Sequence, residues 1–361
     1  MADEPALALV DDRYEVLAEL GRGGLGVALR ARDRAADGAP LALKVVRDLG
    51  DAARGLLEAE YRALARLSHP AVPPPRDVGV VRRVERLPAA ARSSPDIEAV
   101  LAALRPGAPF VARDLVEGQD LFAATRGRPW SEVRPLVVGL ARALGAIHAR
   151  GLVHGDLKPG NVIVVPGAAD AWPVRLIDLG PGETVEYLAP ERLRGAPPDR
   201  RADLFALGAT LYRVLSGELP FPGRTASEVA RALLRGRPAP LASRAPGLPP
   251  AVVAAVERLL EPAPARRWRS AAAFLRALGE ASPQGEEGAV APSLAAAPLV
   301  GRAAEAETLA RALDLAAGQP RIVLVTGGPG SGKSRLLAEA ALEARLRGLR
   351  VVAPDLGAGA G

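Results

Sequence analysis

Residues 154–161 read H-G-D-L-K-P-G-N, and no other stretch limits the possible folds so strongly. Asp156, Lys158 and Asn161 fall within six residues, between a helical pattern and a short apolar strand. One loop thus gathers a carboxylate base, a compact cation and an amide oxygen. Seventeen residues beyond Asn161, Asp178 ends a second apolar strand in I-D-L-G. Asn161 and Asp178 together supply the hard oxygen donors that suit Mg²⁺. That set fits a reaction that moves a highly charged group, where positioning and charge neutralisation do most of the work.

A second constellation lies near the N-terminus. Residues 21–27 read G-R-G-G-L-G-V, with Gly21, Gly23 and Gly26 in G-x-G-x-x-G spacing. A helix follows these glycines in a dinucleotide-binding domain, and a strand follows them in a loop that covers ATP phosphates. The alternating V-A-L-R-A-R that comes next favours the strand. Lys44 lies in L-A-L-K on the following apolar strand. Residues 52–67 have helical period, with Leu57, Tyr61, Leu64 and Leu67 on one face. Glu60 falls on that face, where a carboxylate needs a cation, and Lys44 is the candidate partner.

Composition narrows the class. A chain of 361 residues has room for two domains, and 49% apolar residues can fill their cores. Cysteine is absent, which excludes disulfide scaffolds and thiolate metal sites. The three histidines, His69, His148 and His154, are too few for a histidine-rich metal centre. The acidic start MADEPALALVDD is unlike a secretory signal. No apolar run approaches the roughly 20 residues needed to span a bilayer. A cytoplasmic protein is expected. Net charge is +6, but the arginines are scattered among acids and aromatics make up only 3%, so nucleic-acid binding is not expected. Of 47 basic residues only Lys44, Lys158 and Lys333 are lysine. Lysine is a point charge on a flexible stem, whereas arginine is a planar fork, so these positions draw notice.

Strands are expected across 14–46, a proline-rich break at 69–76, and an irregular insertion at 81–108 with a short helix near Ile97 to Leu104. Helices dominate 131–279, interrupted by strands near 162–165 and 174–178. Residues 281–297 lack periodicity and read as a linker.

Residues 13–280 resemble a eukaryotic-type serine/threonine protein kinase of the kind found in bacteria. The resemblance implies an α+β fold with a β-rich N-lobe and a helical C-lobe, and ATP with Mg²⁺ between them. It implies that Gly21, Gly23 and Gly26 cover the phosphates, that Leu20, Val27 and Ala42 line the nucleotide site, and that Lys44, paired with Glu60, holds the α- and β-phosphates. Asp156 would accept the proton of a Ser or Thr hydroxyl on a protein substrate, and Lys158 would neutralise the γ-phosphate. Asn161 and Asp178 would bind the metal. The stretch 110–118, F-V-A-R-D-L-V-E-G, resembles a hinge that meets adenine through the backbone of Asp114 and Val116. Ala189-Pro190-Glu191 resembles the family's A-P-E motif, with Glu191 expected to pair with Arg267. Asp203 resembles the acid that caps the catalytic loop from a buried helix.

Departures from the family are also legible. Gly155 replaces the arginine that commonly reads an activation-loop phosphate. Only Pro181 to Leu188 separate D-L-G from A-P-E, and the hydroxyls there are Thr184 and Tyr187. Thr184 matches the family's threonine that contacts the catalytic aspartate. Activation by loop phosphorylation is therefore not expected. Leu179 replaces a commoner phenylalanine. Arg113 stands before the hinge, where it would restrict or polarise the back of the nucleotide site. A pseudokinase that binds ATP and signals by shape is the alternative, motivated by the short segment.

Residues 327–334 read G-G-P-G-S-G-K-S, a full phosphate-binding loop. Gly327 and Gly332 shape it, Lys333 would reach the β- and γ-phosphates, and Ser334 would meet Mg²⁺. A strand at 321–326, a helix at 332–347 and a strand at 349–353 are expected around it. The preceding P-L-V-G-R-A-A-E resembles the start of AAA-type ATPase modules. Residues 298–361 thus read as a partial α/β P-loop unit of a longer protein, without a later acidic strand end for hydrolysis. Carriage of the main activity by this ATPase fragment is the remaining alternative.

Overall fold

Alternation builds the first sheet. In residues 26–33, Val27, Leu29, Ala31 and Asp33 are buried, while Arg30 and Arg32 lie half-exposed between them. The computed structural model describes residues 5–22, 26–46, 55, 61, 64, 69–87, 95–167, 172–180, 184–280, 301–316, 319, 322–328, 330–349 and 351. Two compact units share the chain. One takes Met1–Tyr61, Pro75–Leu115 and Ser293–Gly361, and the other Arg62–Pro74 and Val116–Pro292.

The strands of the first unit are β1 (Ala8–Val10), β2 (Tyr14–Arg22), β3 (Gly26–Asp33), β4 (Ala39–Val46), β5 (Pro75–Val80), β6 (Val84–Arg86) and β7 (Pro109–Asp114). Among the described residues they form one sheet in the order β5-β7-β4-β3-β2-β1-β6. Helix α1 (Pro95–Ala103) closes one apolar face, where Val100 and Leu101 pack with Leu29, Leu41 and Leu43. Register sets the other face. Lys44 pairs with Ala28 on β3 and Val111 on β7, and Val111 pairs with Val78 on β5. Directly paired residues share a face, so Lys44 stands in line with two valines. Short β1 and β6 extend the sheet beyond the strands read from the sequence, and three residues are too few to show a period.

The second unit begins with β8 (Gln119–Asp120), α2 (Leu121–Thr125) and α3 (Trp130–Ala149). In α3, Val133, Leu136, Val137, Leu140, Leu144 and Ile147 recur at helical spacing and are buried. Strands β9 (Val162–Val164) and β10 (Val174–Leu176) pair antiparallel, and β9 also pairs with β8. Then follow α4 (Pro190–Leu193), α5 (Arg200–Ser216), α6 (Ala226–Arg235), α7 (Leu241–Arg244), α8 (Pro250–Leu259) and α9 (Ala271–Ala277). Helix α5 is buried nearly all round. The Asp199 side chain caps its start by accepting from Ala202 N at 2.8 Å, and left-handed Gly217 ends it.

The C-terminal segment adds α10 (Ala303–Asp314) and α11 (Lys333–Leu346) to the first unit. Arg347 ties them, bonding Asp314 at 2.6 Å and Glu343 at 2.9 Å. Leu342 and Leu346 of α11 are buried against Val46, Val78 and Val111, on the Lys44 face of the sheet. The expected strand at 321–326 does not form among its described residues. Residues 322–326 run without sheet pairing, Ile322 is 98% exposed and Leu324 77%. A strand is stable only with a ladder partner, and no described strand lies beside this one. The strand expected at 349–353 is likewise not seen at its described residues, Leu349 and Val351.

Candidate active site

Buried packing positions the loop. Helix α3 ends at Ala149 and brings His148 to its last turn, and α5 carries Asp203 in its first turn. Asp203 is 2% exposed and acts as a hub. Its Oδ2 accepts from His154 N at 2.7 Å and meets His148 Nε2 at 2.8 Å, while Oδ1 accepts from Gly155 N at 2.9 Å. A buried carboxylate needs such donors, and here they fix the start of the catalytic loop. Gly155 has φ +79°, a backbone conformation that favours glycine, so an arginine at this position would be strained.

The residues expected to be catalytic lie together. Lys158 Nζ donates to Asp156 Oδ2 at 2.8 Å and to Thr184 Oγ1 at 2.8 Å. Asn161 Nδ2 donates to the Asp156 carbonyl at 2.8 Å and to its Oδ2 at 2.9 Å. Asp156 is thereby held from two sides, and its carboxylate keeps lone pairs that can accept further hydrogen bonds. Asp178 follows β10 with φ +58°, and Ile177 N donates to the Asn161 carbonyl at 3.0 Å. That bond joins the segments carrying the two proposed metal ligands. Among the described residues no group of three or more His, Asp or Glu forms a metal cluster. Two protein oxygens, one amide and one carboxylate, suit Mg²⁺, which keeps waters and binds substrate phosphates.

Two histidines without a role in the sequence reading are His154, which is buried, and His69, which is half-buried. His154 is fully buried, and burial holds it below its ordinary pKa against the pull of Asp203, Asp156 and Asp178. His69 stacks edge-on to Trp172 at 4.3 Å, and its Nδ1 accepts from Ala71 N at 3.1 Å. Burial first, then the charges of Arg150 and Arg175, pushes His69 down to about 4. The signal available in the sequence was rarity, with His148 and His154 bracketing A-R-G-L-V. Both lowered groups bind fewer protons folded than unfolded, where histidine titrates near about 6.5. Stability is therefore full above about pH 6.5 and declines as pH falls toward about 4. Urea midpoints should drop between about pH 7 and about pH 5, and His69→Gln should flatten that drop. An unchanged wild-type midpoint would rule this out.

The activation segment carries no phosphate-reading cation at Gly155. Beside Gly155, Thr184 and Tyr187 the protein leaves a void of about 20 Å³. That is room for a single water rather than a phosphate, although the Arg192 side chain also lines it. The Thr184 hydroxyl is already bound to Lys158, and burial pushes the Tyr187 phenol up to about 12. Intact-mass analysis of transfer-competent protein should find no stoichiometric phosphate on either residue. A full phosphate on Thr184 or Tyr187 would overturn the point.

In the first unit, a Cβ on Gly26 would lie 2.2 Å from the Val45 carbonyl, so packing alone demands glycine there. Among the described residues nothing lies within 4 Å of a Cβ placed on Gly21. Leu20 is 49% exposed, while Val27 and Ala42 are buried. Arg113 is 4% exposed and pairs in register with Ala42. Asp114 forms a side-chain ion pair with Arg76, and Val116 is half-buried in the second unit. Gly23 and Glu60 lie outside the described residues. Glu191 and Arg267 meet in a two-pronged ion pair at 2.6 and 2.8 Å. In the P-loop, Gly330 and Gly332 take left-handed φ of +73° and +83°, and Gly327 lies at +157°. Lys333 Nζ folds onto the carbonyls of Gly327 and Gly328 at 2.8 and 2.7 Å. Ser334 lies exposed in the first turn of α11.

Residues 298–356 match an AAA ATPase domain. The chain is 32% identical to the serine/threonine-protein kinase pkn3 of Myxococcus xanthus over 73% of this chain and 48% of that one. It is 35% identical to the DNA damage-responsive serine/threonine-protein kinase RqkA of Deinococcus radiodurans, over 60% of this chain and 31% of that one. It is 30% identical to PknA of Mycobacterium tuberculosis, over 74% and 60%. The chain thus spans less than two thirds of the length of these curated relatives. The crystal structure of the Mycobacterium tuberculosis PknI kinase domain matches with a TM-score of 0.57 and 26% identity, covering 77% of this chain and 98% of that one. Residues 14–276, well over half of the chain, match the protein kinase domain, and the chain belongs to that family.

Proposed function

We propose that the chain is an ATP-dependent serine/threonine protein kinase of bacterial signal transduction, acting in the cytoplasm on protein hydroxyls. The observation that carries the reading is the Asp156 carboxylate held between Lys158 Nζ and Asn161 Nδ2 at 2.8 and 2.9 Å. Asp156 accepts the proton as the substrate hydroxyl oxygen bonds to the γ-phosphorus of ATP, while the bond from that phosphorus to the β,γ-bridging oxygen breaks and ADP leaves. Lys158 offsets the charge spreading over the transferred group, and Thr184 helps hold its ammonium in place. Asn161 and Asp178 would hold Mg²⁺ through their side-chain oxygens, and the ion would supply positive charge against the phosphates. In the first unit, Gly21, Gly23 and Gly26 let backbone approach the phosphates, and Lys44, with Glu60, steadies the α- and β-phosphates. Leu20, Val27 and Ala42 offer apolar contact to the adenine, and the backbone of Asp114 and Val116 its hydrogen bonds. The relatives' names support the choice of serine and threonine. No described helix is long and apolar enough to cross a membrane.

The test is incubation of the chain with labelled ATP, Mg²⁺ and a general protein substrate, followed by phosphoamino-acid analysis. Label on phosphoserine or phosphothreonine is expected. ATP binding with no transfer would instead mark a pseudokinase.

A further inference from the structure

Away from the catalytic loop, the second unit holds a cavity of about 460 Å³ between the end of α5, α6 and the run into α7. Its base is apolar and aromatic. Tyr212 and Phe221 are buried there, and the Tyr212 hydroxyl is spent on the Ala239 carbonyl at 3.0 Å. Its rim is cationic. Arg231, Arg235 and Arg237 are exposed around the opening, and none of them has an ion pair or hydrogen bond among the described residues. The fourth arginine, Arg244, meets the single carboxylate of the lining, Glu218, at 3.2 Å. Over the whole chain 47 basic residues are nearly matched by 41 acidic ones. Three unmatched guanidiniums around one opening are therefore a local excess.

Helix α6 aims this surface. Val229 and Leu233 turn into the core, which leaves Arg231, Leu234 and Arg235 together on the outer face. Leu234 is 43% exposed, an apolar contact between two cations. Inside, Val229 and Leu233 share a core with Val185 and Tyr187, the turn that follows Thr184. Only Pro181 to Leu188 separate D-L-G from A-P-E, which leaves little chain on which to lay a substrate peptide. Affinity and selection must come from another surface.

We propose that this cavity docks an acidic peptide segment of the protein substrate, with an aromatic or leucine side chain entering the base and carboxylates meeting Arg231, Arg235 and Arg237. The inference rests on the kinase reading for the word substrate, but the docking itself requires no phosphoryl transfer. Rim charges of this kind set selectivity and encounter rate, and salt weakens them.

The test is fluorescence anisotropy with the full chain and a labelled peptide bearing one phenylalanine between two glutamate runs. A glutamine counterpart serves as control. The acidic peptide should bind, and the glutamine peptide should bind about tenfold more weakly. The triple charge reversal Arg231→Glu, Arg235→Glu, Arg237→Glu should weaken the acidic peptide by about tenfold or more, while the matching arginine-to-lysine triple stays within about threefold. Asp156→Asn should bind the acidic peptide like wild type, which separates docking from catalysis. Equal binding of both peptides, or an unchanged affinity in the charge-reversed protein, overturns the proposal. Tighter arginine-dependent binding of a single-stranded oligonucleotide than of the acidic peptide overturns it as well.

Discussion

Glu191→Ala should destabilise the second unit by about 3–5 kcal/mol, because it strands a buried guanidinium. Arg267 is 1% exposed, and all five of its N–H groups are used. Nη1 donates to Glu191 at 2.6 Å and to the Arg201 carbonyl at 2.9 Å. Nη2 donates to Glu191 at 2.8 Å and to the Pro262 carbonyl at 3.0 Å. Nε donates to the Glu261 carbonyl at 2.8 Å. The group therefore ties the A-P-E segment, the start of α5 and the turn before α9 at one point. Arg267→Ala should cost a similar amount, through the lost packing, the unpaired Glu191 and the lost donor to the Glu261 and Pro262 carbonyls. The double variant should cost much less than the sum of the two, since the pair is one unit. Arg267→Lys should recover only part of the loss, because three rotating donors cannot reproduce a planar fork. Urea unfolding checks this against a total stability of about 5–15 kcal/mol. A shift below about 1 kcal/mol for Glu191→Ala would contradict the role given to the pair.

Asp156→Asn should lower phosphoryl transfer by about 10²–10⁴ while leaving ATP affinity nearly intact. An amide keeps the shape and one acceptor, but it cannot take up the substrate proton near neutral pH. The neighbouring Lys158 also loses its carboxylate partner at 2.8 Å, so its ammonium is less firmly placed. Lys158→Ala should fall by about 10²–10³ through lost charge stabilisation. Single-turnover rates beside equilibrium nucleotide binding check both variants. Equal losses of rate and ATP affinity would place Asp156 in nucleotide binding rather than in the chemical step.

Much of this site was legible because its parts are close in sequence. Asp156, Lys158 and Asn161 sit within six residues, so local spacing fixes their meeting. Alternation after Gly26 marks the strand that follows the glycines, and the apolar run Leu41 to Val46 places Lys44 on the next one. The Glu191–Arg267 pair spans 76 residues and came only through family resemblance. The strand expected at 321–326 went astray because apolarity marks a candidate strand, whereas pairing makes one. The packing of Leu342 and Leu346 on Val46, Val78 and Val111 was not legible, since an amphipathic helix does not name its partner. Gly26 was read as a phosphate-facing glycine, yet the Val45 carbonyl requires glycine there in any case. The reason for Gly155 likewise emerged only from its backbone conformation.

The most direct measurement compares transfer of labelled phosphate from ATP to protein by the full chain, by Asp156→Asn and by Lys333→Ala. Label on serine or threonine is expected with wild type, its loss with Asp156→Asn and its retention with Lys333→Ala. Transfer that survives Asp156→Asn but fails with Lys333→Ala would contradict the kinase assignment and move the chemistry to the P-loop.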